Sequence, residues 1–339
     1  MNKMHESNHT KWNAILGDYD LAGPDCITEL KPDTVWHIDH PSGQWVIAKR
    51  PIYDPGSRRV ERLEAASRLM TELHRAGQLW VHAKRNKDGC YITVKDGSLY
   101  QVTSFDEGEN TWNAETPEML PDVGRAMGAY HRYQETSFDA QLPVHDFIEM
   151  TLNGLESRRQ ELLTFAAGRK PPLEAIDEAI ERFRAITPAL MTLPSGLIHM
   201  DLGTGNVLFK NGRLSAIIDF EAFFAPFILD IGITGLYWVI MPPDHETSDP
   251  RVDLGRLKTL LESYAENVHS GKTKSWRSRM PSCGARSASG ATGWVLTSIH
   301  ATMLTGAVSS ISTATGWHRV SRNRRNQKRL KTYRKRAVQ

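Results

Sequence analysis

The sequence predicts an α+β fold in which a small antiparallel sheet precedes a mainly helical part. Two observations support this prediction. Short β-rich runs, separated by turns such as Asp88-Gly89 and Asp96-Gly97, fill the region from residue 25 to 106. Apolar residues at helical spacing recur between residues 117 and 268.

In the N-terminal part, the runs Thr34–Asp39 and Gln44–Ala48 are rich in β-branched and aromatic residues. Because His40–Gly43 between them has turn composition, they predict an antiparallel hairpin. A helix is predicted for Val60–Ala76, since its apolar residues keep helical spacing up to Gly77. Further short strands are predicted for Leu79–Val81, Tyr91–Val94 and Leu99–Ser104.

The second part begins with a predicted helix over Pro117–Gln134, for which Thr116 is the expected N-cap. The turn Asn211-Gly212 predicts a hairpin between two short apolar runs, Val207–Phe209 and Leu214–Ile218. Three more helices are predicted for Val144–Ala167, Pro172–Leu190 and Asp253–Val268.

Charge divides the chain near residue 271. Of the 42 Lys and Arg residues, 15 follow this point, whereas all 39 Asp and Glu residues precede it. One interpretation is a basic, mobile tail. The other is a shift of reading frame that replaces the last helices with unselected sequence, and the loss of amphipathic periodicity favours it.

Composition excludes several classes of protein. No run approaches the roughly 20 apolar residues that span a bilayer, and the polar N-terminus predicts no secretory signal. The three cysteines, Cys26, Cys90 and Cys283, are too far apart to suggest a disulfide framework or a zinc site. We therefore expect a cytoplasmic protein without a membrane partner.

The segment Ile198–Glu221 carries the clearest chemical signal. His199, Asp201 and Asn206 follow the pattern H-x-D-x-x-x-x-N, and a hydrophobic strand then ends at Asp219. Phosphoryl transfer needs an oriented acceptor hydroxyl and a metal ion that bridges phosphate oxygens. Asp201 can accept the hydroxyl proton, while Asn206 and Asp219 offer the oxygen ligands that Mg²⁺ prefers. We expect His199 to brace the loop by hydrogen bonds.

This segment resembles the aminoglycoside phosphotransferase and choline kinase-like superfamily, which has a two-lobed protein-kinase-like fold. Its pattern is closest to the bacterial homoserine kinase-like and spore-coat-associated kinases. The resemblance covers roughly residues 25 to 268. It implies an enzyme that moves the γ-phosphate of ATP to a small-molecule hydroxyl, with Asp201 as catalytic base, Asn206 and Asp219 as magnesium ligands and Asp230 as a structural acid.

The resemblance also implies nucleotide-binding residues in the N-terminal part. Lys49, at the end of a predicted strand, is expected to reach the phosphates. Glu64 on the following helix is its expected partner, with Glu61 as the alternative. The adenine is expected to meet the backbone of Thr103, Ser104 and Phe105.

The implied organisation has an N-terminal extension (1–24), a nucleotide-binding lobe (25–106), a catalytic helical lobe (107–270) and the basic tail (271–339). An aminoglycoside-like sugar, an amino alcohol or an amino acid are all conceivable acceptors, and the sequence indicates no particular oligomeric state. One alternative is a catalytically inactive protein of this fold with a structural or coat role. The other is a nucleic-acid-binding protein, which the basic tail alone supports.

Overall fold

A computed structural model describes residues 6–52, 58–110, 118–137, 147–165, 173–241 and 251–268. These residues form two units, one containing 6–137 with 192–268 and the other containing 147–191. The expected N-cap Thr116, the residue Pro117 and the basic tail lie outside the described residues. The predicted boundary between residues 106 and 107 stays a prediction, because the first unit contains residues from both sides of it.

The first unit contains an antiparallel sheet whose strands are β1 (Cys26–Lys31), β2 (Val35–His40), β3 (Gly43–Pro51), β4 (Ile92–Lys95) and β5 (Ser98–Ser104). Their order in the sheet is β1-β2-β3-β5-β4. The Asp96-Gly97 turn between the last two strands has positive φ at both residues, 49° and 67°, which is the geometry of a tight hairpin. The hairpin predicted around His40–Gly43 is confirmed.

Helix α1 (Glu6–Asp18) covers one face of this sheet, and the sequence analysis did not predict it. Its apolar residues share a buried cluster with the strands, including Trp36, Ile47 and Tyr100. The Tyr19 hydroxyl hydrogen-bonds the Tyr100 carbonyl oxygen at 2.7 Å, which fixes the end of the helix to β5. The contributing residues from the helix and its end are Trp12, Ile15, Leu16, Tyr19 and Leu21.

Helix α2 (Arg59–Arg75) follows the sheet, as predicted. Its Leu63 packs with Leu99 and Ile92 of the sheet. Residues Leu79–Val81, predicted as a strand, form only an isolated bridge from Trp80 to Ile217.

The helical region of the first unit is built on close helix packing. Helix α3 (Met119–Ser137) lies against α7 (Leu254–Val268) so closely that a Cβ added at Gly128 would lie 2.3 Å from the Tyr264 carbonyl oxygen. Helix α6 (Phe227–Val239) contacts both of them.

The first unit also contains short antiparallel strand pairs, two of which lie next to the chemical motif in the sequence. They are β6 (Ser195–Ile198) with β9 (Phe223–Pro226), β7 (Val207–Lys210) with β8 (Arg213–Ile217), and β10 (Ile240–Met241) with β11 (Arg251–Val252). The predicted Asn211-Gly212 turn joins β7 to β8.

The second unit contains α4 (Phe147–Phe165) and α5 (Leu173–Leu190), both predicted. Leu155, Ile176 and Ile180 form its small apolar core. The predicted α+β class is confirmed. Within the described part of the chain, no helix has the length and apolar character that crossing a membrane requires.

Candidate active site

The loop between β6 and β7 brings Asp201 and Asn206 into contact. The Asn206 amide nitrogen donates to the Asp201 carboxylate at 2.7 Å and to the Asp201 carbonyl oxygen at 2.9 Å. The indole of Trp238 donates to the Leu202 carbonyl oxygen at 2.7 Å and anchors the loop to α6. Partial exclusion of water raises the pKa of Asp201, while hydrogen bonds from Tyr237 and Asn206 lower it in part.

Asp230 supports this loop from the buried side. Its carboxylate accepts the backbone N–H groups of His199 at 3.1 Å and of Met200 at 2.8 Å. These bonds hold Met200 at a φ of 67°, a conformation that L-residues rarely adopt. Burial raises the pKa of Asp230 to about 7, although the two N–H groups lower it in part. The geometry agrees with the structural role that the resemblance implied.

His199 braces the same loop, as the sequence analysis predicted. Its Nε2 hydrogen-bonds the Ile218 carbonyl oxygen at 2.9 Å, and its Nδ1 accepts the Asp201 backbone N–H at 3.3 Å. Burial lowers the pKa of His199 and favours the neutral ring, in which Nε2 carries the hydrogen. The ring also stacks on Phe220. His199 therefore acts on the loop geometry.

Asp219 lies two residues after the end of β8, and its φ is 60°. Its carboxylate forms an ion pair with the Arg50 guanidinium. Partial exclusion of water raises the pKa of Asp219, but the charge and hydrogen bond of Arg50 lower it by more, so this pKa lies below its usual value. The backbone joins Asp219 to the loop of Asp201 and Asn206, because the N–H of the preceding residue, Ile218, donates to the Asn206 carbonyl oxygen at 3.0 Å. The three motif residues therefore lie on adjoining segments.

The residues suit a divalent metal ion, although within the described ranges no group of three His, Cys, Asp or Glu side chains converges. The amide nitrogen of Asn206 donates to Asp201, and its Oδ1 is the acceptor atom that can serve as a metal ligand. Asp219 adds a half-exposed carboxylate. Mg²⁺ takes one or two protein oxygens and completes its shell with water and phosphate, so this donor set fits it.

Lys49 is not brought into this site. Side chains alternate between the two faces of a strand. Ile47 packs in the cluster that α1 covers, so Lys49, two residues on, lies on that face, while Arg50 points to the opposite face and reaches Asp219. The lysine was predicted from its residue type, and alternation along the strand separates Lys49 from Arg50 without telling which of the two faces meets Asp219.

The predicted pair between Lys49 and Glu64 is not formed among the described residues. The Glu64 carboxylate instead accepts the backbone N–H groups of Tyr91 at 3.0 Å and Ile92 at 2.8 Å, at the start of β4. Glu61, the alternative, is exposed on the surface of α2. Among the hydrogen bonds and ion pairs of the described residues, neither glutamate is paired with Lys49 or Arg50.

The backbone from Thr103 to Phe105 ends β5 and is tied to neighbouring segments. The Ser104 N–H donates to the His82 carbonyl oxygen at 2.9 Å, and the Phe105 N–H donates to the Gln44 carbonyl oxygen at 3.1 Å. A base bound here would be held by groups other than these two donors.

Tyr237 of α6 lies beside Asp201 and was not predicted from the sequence. Its hydroxyl is near enough to the Asp201 carboxylate to lower the pKa of Asp201, and its ring packs on the loop at Gly203, where an added Cβ would lie 3.1 Å from it. The side chain is nevertheless 49% exposed. The sequence carries no local signal for this contact, because α6 and the loop are separated by more than two strands.

Residues 31–263 match the profile of the family described as "Phosphotransferase enzyme family". A curated homoserine kinase from Gluconobacter oxydans (strain 621H) is 36% identical over 76 residues, which is 22% of this chain. That match spans 23% of the length of the homoserine kinase.

Two solved structures share the fold. An amicoumacin kinase in complex with AMP-PNP, Ca²⁺ and Ami is 15% identical, with a TM-score of 0.57 over 90% of this chain and 87% of the other. A microcompartment-associated aminopropanol kinase is 15% identical, with a TM-score of 0.54 over 86% of this chain and 94% of the other. The predicted kinase-like fold is thereby confirmed.

Proposed function

This chain belongs to the phosphotransferase enzyme family, and we propose that it moves the γ-phosphate of ATP to a hydroxyl group of a small molecule. The observation that carries the proposal is the contact between Asp201 and Asn206, whose loop is hydrogen-bonded to the residue before Asp219. This arrangement combines a proton acceptor, Asp201, with two possible metal ligands, Asn206 and Asp219. Phosphoryl transfer requires both an oriented acceptor hydroxyl and a metal ion on the phosphates.

Asp201 is the proposed base. It accepts the proton of the acceptor hydroxyl while the hydroxyl oxygen bonds to the γ-phosphorus, and the bond from that phosphorus to the bridging oxygen breaks to release ADP. The raised pKa of Asp201 suits this role, because a stronger base holds the proton better near neutral pH. Asn206 keeps the carboxylate pointing into the site.

Asn206 and Asp219 are the proposed ligands of Mg²⁺. The bound ion would neutralise charge on the phosphate oxygens. The backbone from Thr103 to Phe105 is the proposed place of the adenine. We place the reaction in the cytoplasm, which supplies ATP and keeps the three cysteines reduced.

The acceptor is proposed to be an aminoglycoside-like sugar, an amino alcohol or an amino acid. The names of the similar kinases, which act on amicoumacin and on aminopropanol, support a small amine-bearing alcohol. The excess of acidic residues before residue 271 would also favour a cationic acceptor.

The test is an ATP-consumption assay with pooled amino alcohols, amino acids and aminoglycosides. We expect turnover with at least one pool, and a loss of about 100-fold or more in Asp201→Asn. Binding of an ATP analogue should change by less than about twofold, since Asp201 faces the acceptor. Asp88→Asn, in an exposed loop, is the matched control.

Two outcomes would contradict the proposal. If the wild type binds nucleotide but consumes ATP with no pool, the inactive alternative is favoured. If Asp201→Asn turns over like the wild type, Asp201 is not the base.

A further inference from the structure

All three nitrogens of the Arg50 guanidinium donate hydrogen bonds to other side chains. Its Nε donates to Glu221 Oε1 at 2.9 Å, its Nη1 to Gln101 Oε1 at 3.2 Å, and its Nη2 to Asp219. The side chain is only 11% exposed. Three partners in different directions leave the planar group little freedom, so its orientation is built into the fold.

Glu221 and Gln101, which accept from Arg50, are each hydrogen-bonded to α2 as well. Glu221 Oε1 also accepts from Arg59 Nη2 of α2 at 2.6 Å. The buried Gln101 donates from its Nε2 to the Ser67 hydroxyl at 2.7 Å, which ties it to the same helix. Glu221, which pairs with Arg50 of β3, therefore comes from the segment after β8, whereas α2 contributes Arg59 to the same cluster.

We propose that Arg50 binds the phosphates of the nucleotide and that Glu221 positions its guanidinium. This inference rests on the proposed function. If Asp219 holds the metal ion, the phosphates that the ion would neutralise would bind beside Asp219. The Arg50 guanidinium, which contacts Asp219 through Nη2, would then be placed to donate to them.

The chemistry of the side chain agrees with this role. A guanidinium stays charged at every physiological pH and can offer two parallel donors to a phosphate group. Nη1 and Nη2 each carry two hydrogens, and Gln101 and Asp219 accept one from each, so a second N–H on either nitrogen can donate to phosphate. A lysine at this position would keep the charge, but its single nitrogen could not replace the three separate donors, so it is not an equivalent replacement.

The test measures the dissociation constant of a fluorescent ATP analogue for the full chain, with Mg²⁺ and again with EDTA. We expect Arg50→Met to weaken binding about 10- to 100-fold under both conditions, since charged hydrogen bonds to phosphate are lost. Lys49→Met, one residue away on the other face, should stay within about twofold of the wild type. Circular dichroism and thermal melting establish that each variant is folded.

Glu221→Gln separates positioning from direct contact. It should weaken binding several-fold in the wild-type background but hardly at all in Arg50→Met, because a residue that acts through Arg50 has no effect once Arg50 is gone. Additive losses would overturn the positioning role. If Arg50→Met does not fold, Arg50→Lys takes its place, and wild-type binding by that variant would overturn the inference.

The outcomes distinguish this inference from the proposed function. If the wild type binds and turns over ATP while Lys49→Met weakens binding as much as Arg50→Met, or Arg50→Met binds normally, only the assignment to Arg50 fails. If the wild type does not bind the analogue at all, both fail.

Discussion

The amide nitrogen of Asn206 donates a 2.7 Å hydrogen bond to the carboxylate of Asp201. A second bond from the same nitrogen to the Asp201 carbonyl oxygen fixes the amide plane. The proposed base and the proposed neutral metal ligand are therefore held together as one unit, and a change at either should disturb the other.

Asn206→Ala removes both the bond to Asp201 and the Oδ1 proposed for the metal. We expect kcat to fall about 100-fold or more, because the base loses its orientation. The Mg²⁺ concentration for half-maximal rate should also rise. Asn13→Ala, on the exposed side of α1, is the control. An unchanged metal requirement would remove Asn206 from the ligand set.

Tyr237→Phe should move the acid limb of the pH–rate profile to higher pH. The hydroxyl of Tyr237 is one of the groups that lower the pKa of Asp201, so its loss lets that pKa rise further. A base must be deprotonated to act, and the rate then falls at a higher pH on acidification. An acid limb that stays in place, or moves down, would contradict the contact between Tyr237 and Asp201.

Asp230→Asn should change how stability depends on pH. The pKa of Asp230 is raised to about 7 in the folded protein, so the folded state binds its proton more tightly than the unfolded chain. The unfolding free energy of the wild type relative to this variant should therefore decrease as pH rises from about 4 to 7. Urea unfolding at several pH values measures this difference. Parallel curves would show that Asp230 titrates normally.

Glu64→Gln should act on stability and not on nucleotide binding. Glu64 accepts two backbone N–H groups of β4, and weakening these bonds should cost about 1 to 3 kcal/mol. Glu61→Gln, which is exposed, should change stability by less than about 0.5 kcal/mol. A large loss of ATP affinity in Glu64→Gln without a change in thermal stability would restore its predicted role as partner of a cation.

Gly128→Ala should destabilise the protein by about 1 to 3 kcal/mol, because α3 and α7 leave no room for a methyl group. Gly17→Ala is the matched control, since a Cβ added there meets no atom within 4 Å. The control should be neutral or slightly stabilising. Equal effects of the two substitutions in chemical unfolding would argue against the close contact of α3 with α7.

Much of the fold was predictable because it depends on local signals. Turn residues such as Asp96-Gly97 and the apolar spacing of Arg59–Arg75 indicate their elements without any knowledge of distant residues. Helix α1 was not predicted because its apolar residues are few and lie among polar ones. Their shared burial is seen only where they pack on the face of the sheet.

The order of residues along the chain was enough to predict Asp201, Asn206 and Asp219 as one group, because a single loop and one hairpin connect them. The tertiary structure decided which cation meets them. Arg50 and Glu221 are 171 positions apart, and neighbouring residues of a strand point to opposite faces, so their pairing depends on how the sheet lies against the segment after β8. Contacts of that kind have no signature in the local sequence.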